Sequence, residues 1–196
     1  MDLDDATLAE PSPLDTDEIP VVVAEARSRP AWKRTWALGG IAVAVAVFQV
    51  LCGLVLLFFY RPGVPTAHLD VVDLAEASRF AWVRELHHWG SHALVIVAAL
   101  HLFRIVATGS YRAPRQVNFQ VGVALGVVVL LSAATGYLLP WDERSQWLIR
   151  ALSAAGAPPG GATLTALHAL HSGALPVAGA LLAVYHLRRA RTDGAE

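Results

Sequence analysis

Four histidines stand out by their spacing. His87 and His101 are 14 residues apart, His171 and His186 are 15 apart, and each pair sits within an apolar stretch. On a helix, about 100° per residue returns the fourteenth side chain to within roughly 40° of the first, and the fifteenth to within roughly 60°. Each stretch therefore presents two imidazoles on one stripe, about 21 Å apart along the axis. Ionisable groups in a bilayer are costly, so their default reading is functional. Two neutral imidazoles facing each other form the axial ligation of a low-spin b-type haem. Zinc fits less well, because its sites gather four ligands where each level here offers two. Hydrogen-bonded packing explains most single histidines but not two matched intervals. His88 and His92 point away from the His87 stripe by about 100° and 140°. They are read, with His168, as packing, interface or proton-handling groups, and His68 as a loop residue.

Spanning the hydrocarbon takes about 20 apolar residues of helix. Residues 37–59, 87–103, 117–139 and 164–187 qualify, with Pro176 placing a kink in the fourth span. The expected fold is all-α: an integral membrane four-helix bundle running up-down-up-down. The second and fourth spans then run parallel. His87 pairs with His171 at one level, and His101 with His186 at the other, both pairs held between these two helices. Ten basic residues (Arg27, Arg29, Lys33, Arg34, Arg104, Arg112, Arg115, Arg188, Arg189, Arg191) flank one side, against five (Arg61, Arg79, Arg84, Arg144, Arg150) on the other. That bias places both termini inside, as an even number of spans requires. The connection through DVVDLAEASRFAWV reads as a short surface helix. In the last connection, Trp141 and Trp147 read as interface rings ahead of a flexible APPGGA stretch.

The chain of 196 residues is 55% hydrophobic, as membrane proteins are. Its net charge of −1 gives no bulk affinity for nucleic acid. Cys52 is the only cysteine, so neither an intramolecular disulfide nor a CxxCH attachment for c-type haem can form. Residues 1–35 are acidic and proline-containing, without the apolar core of a signal peptide, and are expected to be a disordered cytoplasmic tail. Residues 36–190 form the four-helix di-haem domain, and residues 191–196 a second cytoplasmic tail.

Glycines repeat the histidine interval. Gly39 and Gly53 in the first span, and Gly122 and Gly136 in the third, are again 14 apart. Glycine lets a porphyrin edge approach a helix, although helix packing alone also uses such residues. By height, Gly53 and Gly136 accompany His87 and His171; Gly39 and Gly122 accompany His101 and His186. Arg84 and Arg104 each lie one turn beyond a histidine, toward opposite interfaces. There a guanidinium can pair with a haem propionate.

With these residues in register, the sequence resembles the N-terminal four-helix half of cytochrome b. The strings that carry the likeness are ALGGIAVAVAVFQVLCGLVLLFFYRP, VRELHHWGSHALVIVAALHLFR, TGYLLPWDERSQW and LHSGALPVAGALLAVYHL. It is similar to the short, split form in photosynthetic-type complexes, where a separate subunit carries the remaining helices. The resemblance implies two non-covalent b-type haems in a quinol:cytochrome c, or similar acceptor, oxidoreductase; Ala- and Arg-rich usage points to a bacterial cytoplasmic membrane. It further implies a Rieske iron–sulfur protein, a c-type cytochrome, quinol and quinone, surrounding lipid, and a dimeric complex. Quinol would be oxidised at a partly built pocket by PWDERSQW. The photosynthetic type has a cysteine before LGG that binds a c-type haem; Ala37 stands there instead, so no covalent haem is expected. The PEWY-type loop is absent, as expected if it belongs to the partner. A di-haem anchor for a peripheral dehydrogenase or reductase is the alternative, and a haem-free scaffold a weaker one.

Overall fold

The computed structural model describes residues 37–76, 78–152 and 160–192, which form helices joined by turns and short irregular connections. The acidic tail, its basic cluster, the first half of the APPGGA stretch and the last four residues lie outside the described residues. Helix α1 is Leu38–Leu56, α2 Ala67–Glu76, α3 Ala81–Ala107, α4 Gln116–Leu138 and α5 Glu143–Leu152. The fourth span, Gly161–Thr192, consists of α6 (Gly161–Ala169), a π-helical turn (Leu170–Ala174) and α7 (Leu175–Thr192). Helices α1, α3, α4 and the composite fourth are each long and apolar enough to cross a membrane.

The spans form because long apolar runs satisfy every backbone group internally. Two pairs pack most intimately, α1 on α3 and α4 on α7, and α3 joins them through α4. Large apolar side chains point outward along the spans: Phe58, Phe103 and Leu181 are among the most exposed. Such a surface suits lipid.

Two sequence expectations shift. Span two begins at Ala81, six residues before His87, so FAWV belongs to its first turn rather than to a surface helix. His68 lies in α2 and not in a loop.

Full burial is concentrated at the end of the bundle capped by α2 and α5. Ala67, Trp141, Ile149 and Leu164 form a small core there, with Tyr60, Leu138, Leu139 and Leu167 against it. Each large apolar side chain so buried contributes about 2 kcal/mol. Trp141 is thus packed inside the protein at the end of the bundle. Its φ of 52°, rare for a bulky residue, turns the chain sharply after Pro140 and brings the ring to 3% exposure. Trp147 remains exposed. Asp142 caps α5, accepting from the Ser145 backbone N–H at 2.8 Å and from its hydroxyl. Burial raises the pKa of this carboxyl, but the two hydrogen bonds together with the charges of Arg144 and His68 hold the group below the usual range.

Arg61 grips Asp70 through its backbone N–H (2.8 Å), Nε (3.1 Å) and Nη2 (2.5 Å). Its hydrogen bonds hold the Asp70 carboxyl below the usual carboxylate range. Nearby, Tyr60 donates to the Leu139 carbonyl at 2.7 Å and stacks on His168. Burial, then the Asp70 charge, pushes its phenol up to about 12. A depressed carboxyl pKa stabilises the fold above the unfolded value, about 3.9, and loses that contribution as pH falls through the folded one. Asp70→Asn is therefore expected to lower the melting temperature at pH 7. The effect is modest, because the Arg61 side chain is 73% exposed and screened. In melts taken at stepwise lower pH, the gap to the parent protein should close; a gap independent of pH would discount the ion pair.

Candidate functional site

At the capped end the rings of His87 (α3) and His171 (π-helical turn) face each other, with centroids 6.0 Å apart and planes at 83°. At the far end His186 (α7) lies within electrostatic reach of His101 (α3). The sequence intervals differed by one residue, 14 against 15. The π-helical turn accounts for it. A π turn absorbs one extra residue relative to α-helix. The fifteen-residue interval therefore behaves like fourteen, bringing His186 back to the His171 face. Pro176 follows this turn, so the expected irregularity falls just ahead of the proline.

A repeated local design backs the histidines. His171 Nδ1 donates to the Ser132 carbonyl at 2.9 Å, with Thr135 Oγ1 at 3.3 Å, and His186 Nδ1 donates to the Asn118 carbonyl at 3.1 Å. Ser132 and Asn118 each stand four residues before a glycine of the set, Gly136 and Gly122. In an α-helix that carbonyl bonds the N–H of the residue four later, so it lies beside the glycine Cα. A ring can reach it only if no Cβ intervenes. A Cβ on Gly136 would come within 2.5 Å of His171 Cε1, and one on Gly122 within 3.1 Å of His186 Cε1. Gly53 stands against His87 (3.4 Å) and Gly39 against His101 (3.2 Å) in the same way. Each of the four glycines expected to border a porphyrin edge thus also has an imidazole edge against it.

Because a carbonyl only accepts, Nδ1 of His171 and His186 must carry the proton. Their Nε2 atoms therefore keep a free lone pair, as metal-binding imidazoles do when a second contact fixes the tautomer. His87 is turned toward the backbone of Gln49, four residues before Gly53, but its Nδ1 completes no hydrogen bond there. The residue four before Gly39 is Thr35, outside the described residues.

The arginines are less uniform. Arg84 pairs with its neighbour Glu85 at 2.5 Å, while Arg104 lies within electrostatic reach of His101. His88, Trp89 and His92 cluster on the exposed face of α3, with His92 Nδ1 donating to the His88 carbonyl at 2.9 Å. They face away from the paired rings, so His92→Ala should retain whatever His87 and His171 hold. Haem quantification checks this, and a missing haem would show that the wrong stripe had been chosen. Two contributors escaped sequence reasoning. Ser132 and Asn118 act through backbone carbonyls, which side-chain type does not reveal. Gln49 carried a signal, as the lone amide in an apolar span.

A cavity of about 470 Å³ opens at the capped end between Tyr137, Glu143, Arg144, Trp147 and Leu148. It lies on the segment expected to form part of a quinol pocket.

The residues fit an iron porphyrin. Among the described residues no three His, Cys, Asp or Glu side chains converge to enclose a metal. Opposed imidazoles with Nε2 free suit a group that brings its own equatorial ligands.

These features define a class: a four-span helical membrane protein with paired histidines at two depths. Residues 23–157, more than half of the chain, match the family described as cytochrome b/b6/petB. The chain is 30% identical over 177 residues to cytochrome b6 of Porphyra purpurea, covering 81% of this chain and 82% of that one. It also superposes on a chain of a hyperthermophilic respiratory Complex III with a TM-score of 0.75, at 24% identity, over 83% of its own length. It spans about half of that neighbour, 49%, and the likeness speaks for the fold. The chain belongs to the cytochrome b/b6 family. It is an integral membrane protein of electron transport, and membership implies b-type haem as cofactor.

Proposed function

We propose that this chain is the two-haem subunit of a quinol-oxidising bc-type complex, with His87 and His171 as ligands of an outer haem and His101 and His186 of an inner one. One observation carries the reading: each of these imidazoles is seated against its own glycine, and two have Nδ1 committed to a carbonyl. Bound haem supplies a reversible one-electron couple at each level. The protein holds the imidazoles in register across the bilayer, and the capped-end core keeps water from the outer pair. Arg104, and Arg84 once released from Glu85, supply the cations for propionates.

The cavity by Trp147 is this chain's share of the quinol site. Glu143 offers a carboxylate oxygen to take a quinol proton, and the Trp147 ring offers a flat apolar wall. A Rieske iron–sulfur protein takes one electron and passes it to a c-type cytochrome. The second electron would cross to the inner level, working against about 2.3 kcal/mol per 100 mV of membrane potential, and reduce quinone by one electron, so that two quinols are oxidised for each quinone taken fully to quinol with protons from the inner side. A separate subunit supplies the remaining helices of a dimeric complex in a bacterial cytoplasmic membrane, with both termini of this chain inside.

Purified material should show a b-type alpha band in the reduced-minus-oxidised spectrum and two non-covalent haems per chain. It should also co-purify with an iron–sulfur protein. A flat difference spectrum ends the redox reading. Two haems with a peripheral dehydrogenase in place of the iron–sulfur protein would favour the anchor.

A further inference from the structure

Gln49 is an amide in an otherwise apolar span, held at 8% exposure. Leaving such a group in the membrane interior is costly unless it is paired; here Nε2 is paired, while Oε1 is buried with no hydrogen-bond partner among the described residues. Its Nε2 donates to the His87 backbone carbonyl at 2.7 Å, tying α1 to α3 at the level of the outer pair. The Gln49 backbone lies on the side of the His87 ring as well, without a completed hydrogen bond to it, so a single residue grips the main chain of that histidine and flanks its imidazole. Gly90 completes the arrangement. A Cβ there would collide with Gln49 Oε1, so only glycine leaves the amide where it is. The contact is local, because His101 lies about 21 Å further along the same helix.

We propose that Gln49 is a positioning residue for the outer haem, gripping the His87 carbonyl and bracketing its ring so that the His87 and His171 planes stand nearly perpendicular. The proposal rests on the ligand assignment under "Proposed function". Ligand-plane orientation sets how the imidazole π orbitals mix with the iron d orbitals. Perpendicular planes leave two of those d orbitals nearly degenerate, and the low-field g value of the oxidised iron is then large. Held at 83°, the pair sits near that limit. Freed of the clamp, His87 relaxes toward a smaller angle and the g value falls.

The test is electron paramagnetic resonance on oxidised membranes containing the assembled complex, with haem content measured alongside. Gln49→Asn keeps the amide but shortens its reach by one methylene. Gly90→Ala leaves Gln49 in the sequence and displaces its side chain. Both variants are expected to keep two haems per chain and to move the outer low-field signal down, with the inner signal unmoved. Since the two act by independent routes, either suffices if the other does not accumulate. An unmoved outer signal with both haems present overturns the role of Gln49 alone. Equal shifts of both signals, or loss of the outer haem from both variants, reduce Gln49 to packing and overturn it too. Fewer than two haems in the unmodified complex would instead overturn the ligand assignment.

Discussion

His87→Ala is expected to halve the haem content, from two per chain to one, and to leave the inner haem spectrally unchanged. His101→Ala should do the reverse. The magnitude follows from the geometry. On the proposed ligation each level would rest on two imidazoles from two helices, and removing one would leave the other without its counterpart. Loss of a contact one step removed from a metal ligand already costs about 10–100-fold in affinity; loss of the ligand costs more. The levels should be independent, because about 21 Å of helix separates them. Their supports are also distinct: Gly53, Gly136 and the Ser132 carbonyl serve one, and Gly39, Gly122 and the Asn118 carbonyl the other. Pyridine haemochrome quantification counts the haems, and the difference spectrum shows which remains. If both single variants kept two haems, the iron would have other ligands.

The pairing was legible before any coordinates because side-chain periodicity is a property of the chain alone. His87 and His101 needed only the α-helical repeat, and their helix is unbroken from Ala81 to Ala107. The other pair was legible with an error. Fifteen residues of plain α-helix would leave His186 about 60° from the His171 stripe. The π-helical turn at Leu170–Ala174 removes that mismatch. Nothing in LHSGA announces such a turn, in which His171 packs against Gly136 of a neighbouring helix. Trp141 shows the same limit. Its residue type suits an interface, but the left-handed turn after Pro140 is set by tertiary contacts with Ala67, Ile149 and Leu164. Helix α5 was missed because PWDERSQW reads as a polar connection. Its helicity depends on the Asp142 cap and on burying Ser145 and Ile149 beneath it.

Substituting alanine at each of the four glycines should separate them in an order that neither spacing nor residue type supplies. Gly136→Ala is expected to be the most damaging. Its Cβ would lie 2.5 Å from Cε1 and 3.0 Å from Nδ1 of His171, inside any tolerable contact. That ring cannot swing aside freely, because Nδ1 is bonded to the Ser132 carbonyl and close to the Thr135 hydroxyl. The methyl must break those bonds or spread α4 from the fourth span, and overpacking of this kind costs about 1–3 kcal/mol. Gly122→Ala and Gly39→Ala, at 3.1 and 3.2 Å, demand shifts of a few tenths of an ångström and should weaken the inner haem modestly. Gly53→Ala, at 3.4 Å, meets ordinary van der Waals contact. Alanine also gains roughly 0.5–1 kcal/mol over glycine within a helix, so Gly53→Ala should be neutral or slightly stabilising. Gly126→Ala, with nothing within 4 Å, isolates that gain as a control. Gly53 and Gly136 serve the same level, and this makes the comparison decisive. If the glycines admit imidazoles, the outer haem is lost or displaced in Gly136→Ala and intact in Gly53→Ala, as the midpoint potential and haem content of each variant will show. Equal damage at both positions would mean that the space belongs to the porphyrin edge, and that the imidazole contacts are incidental to it.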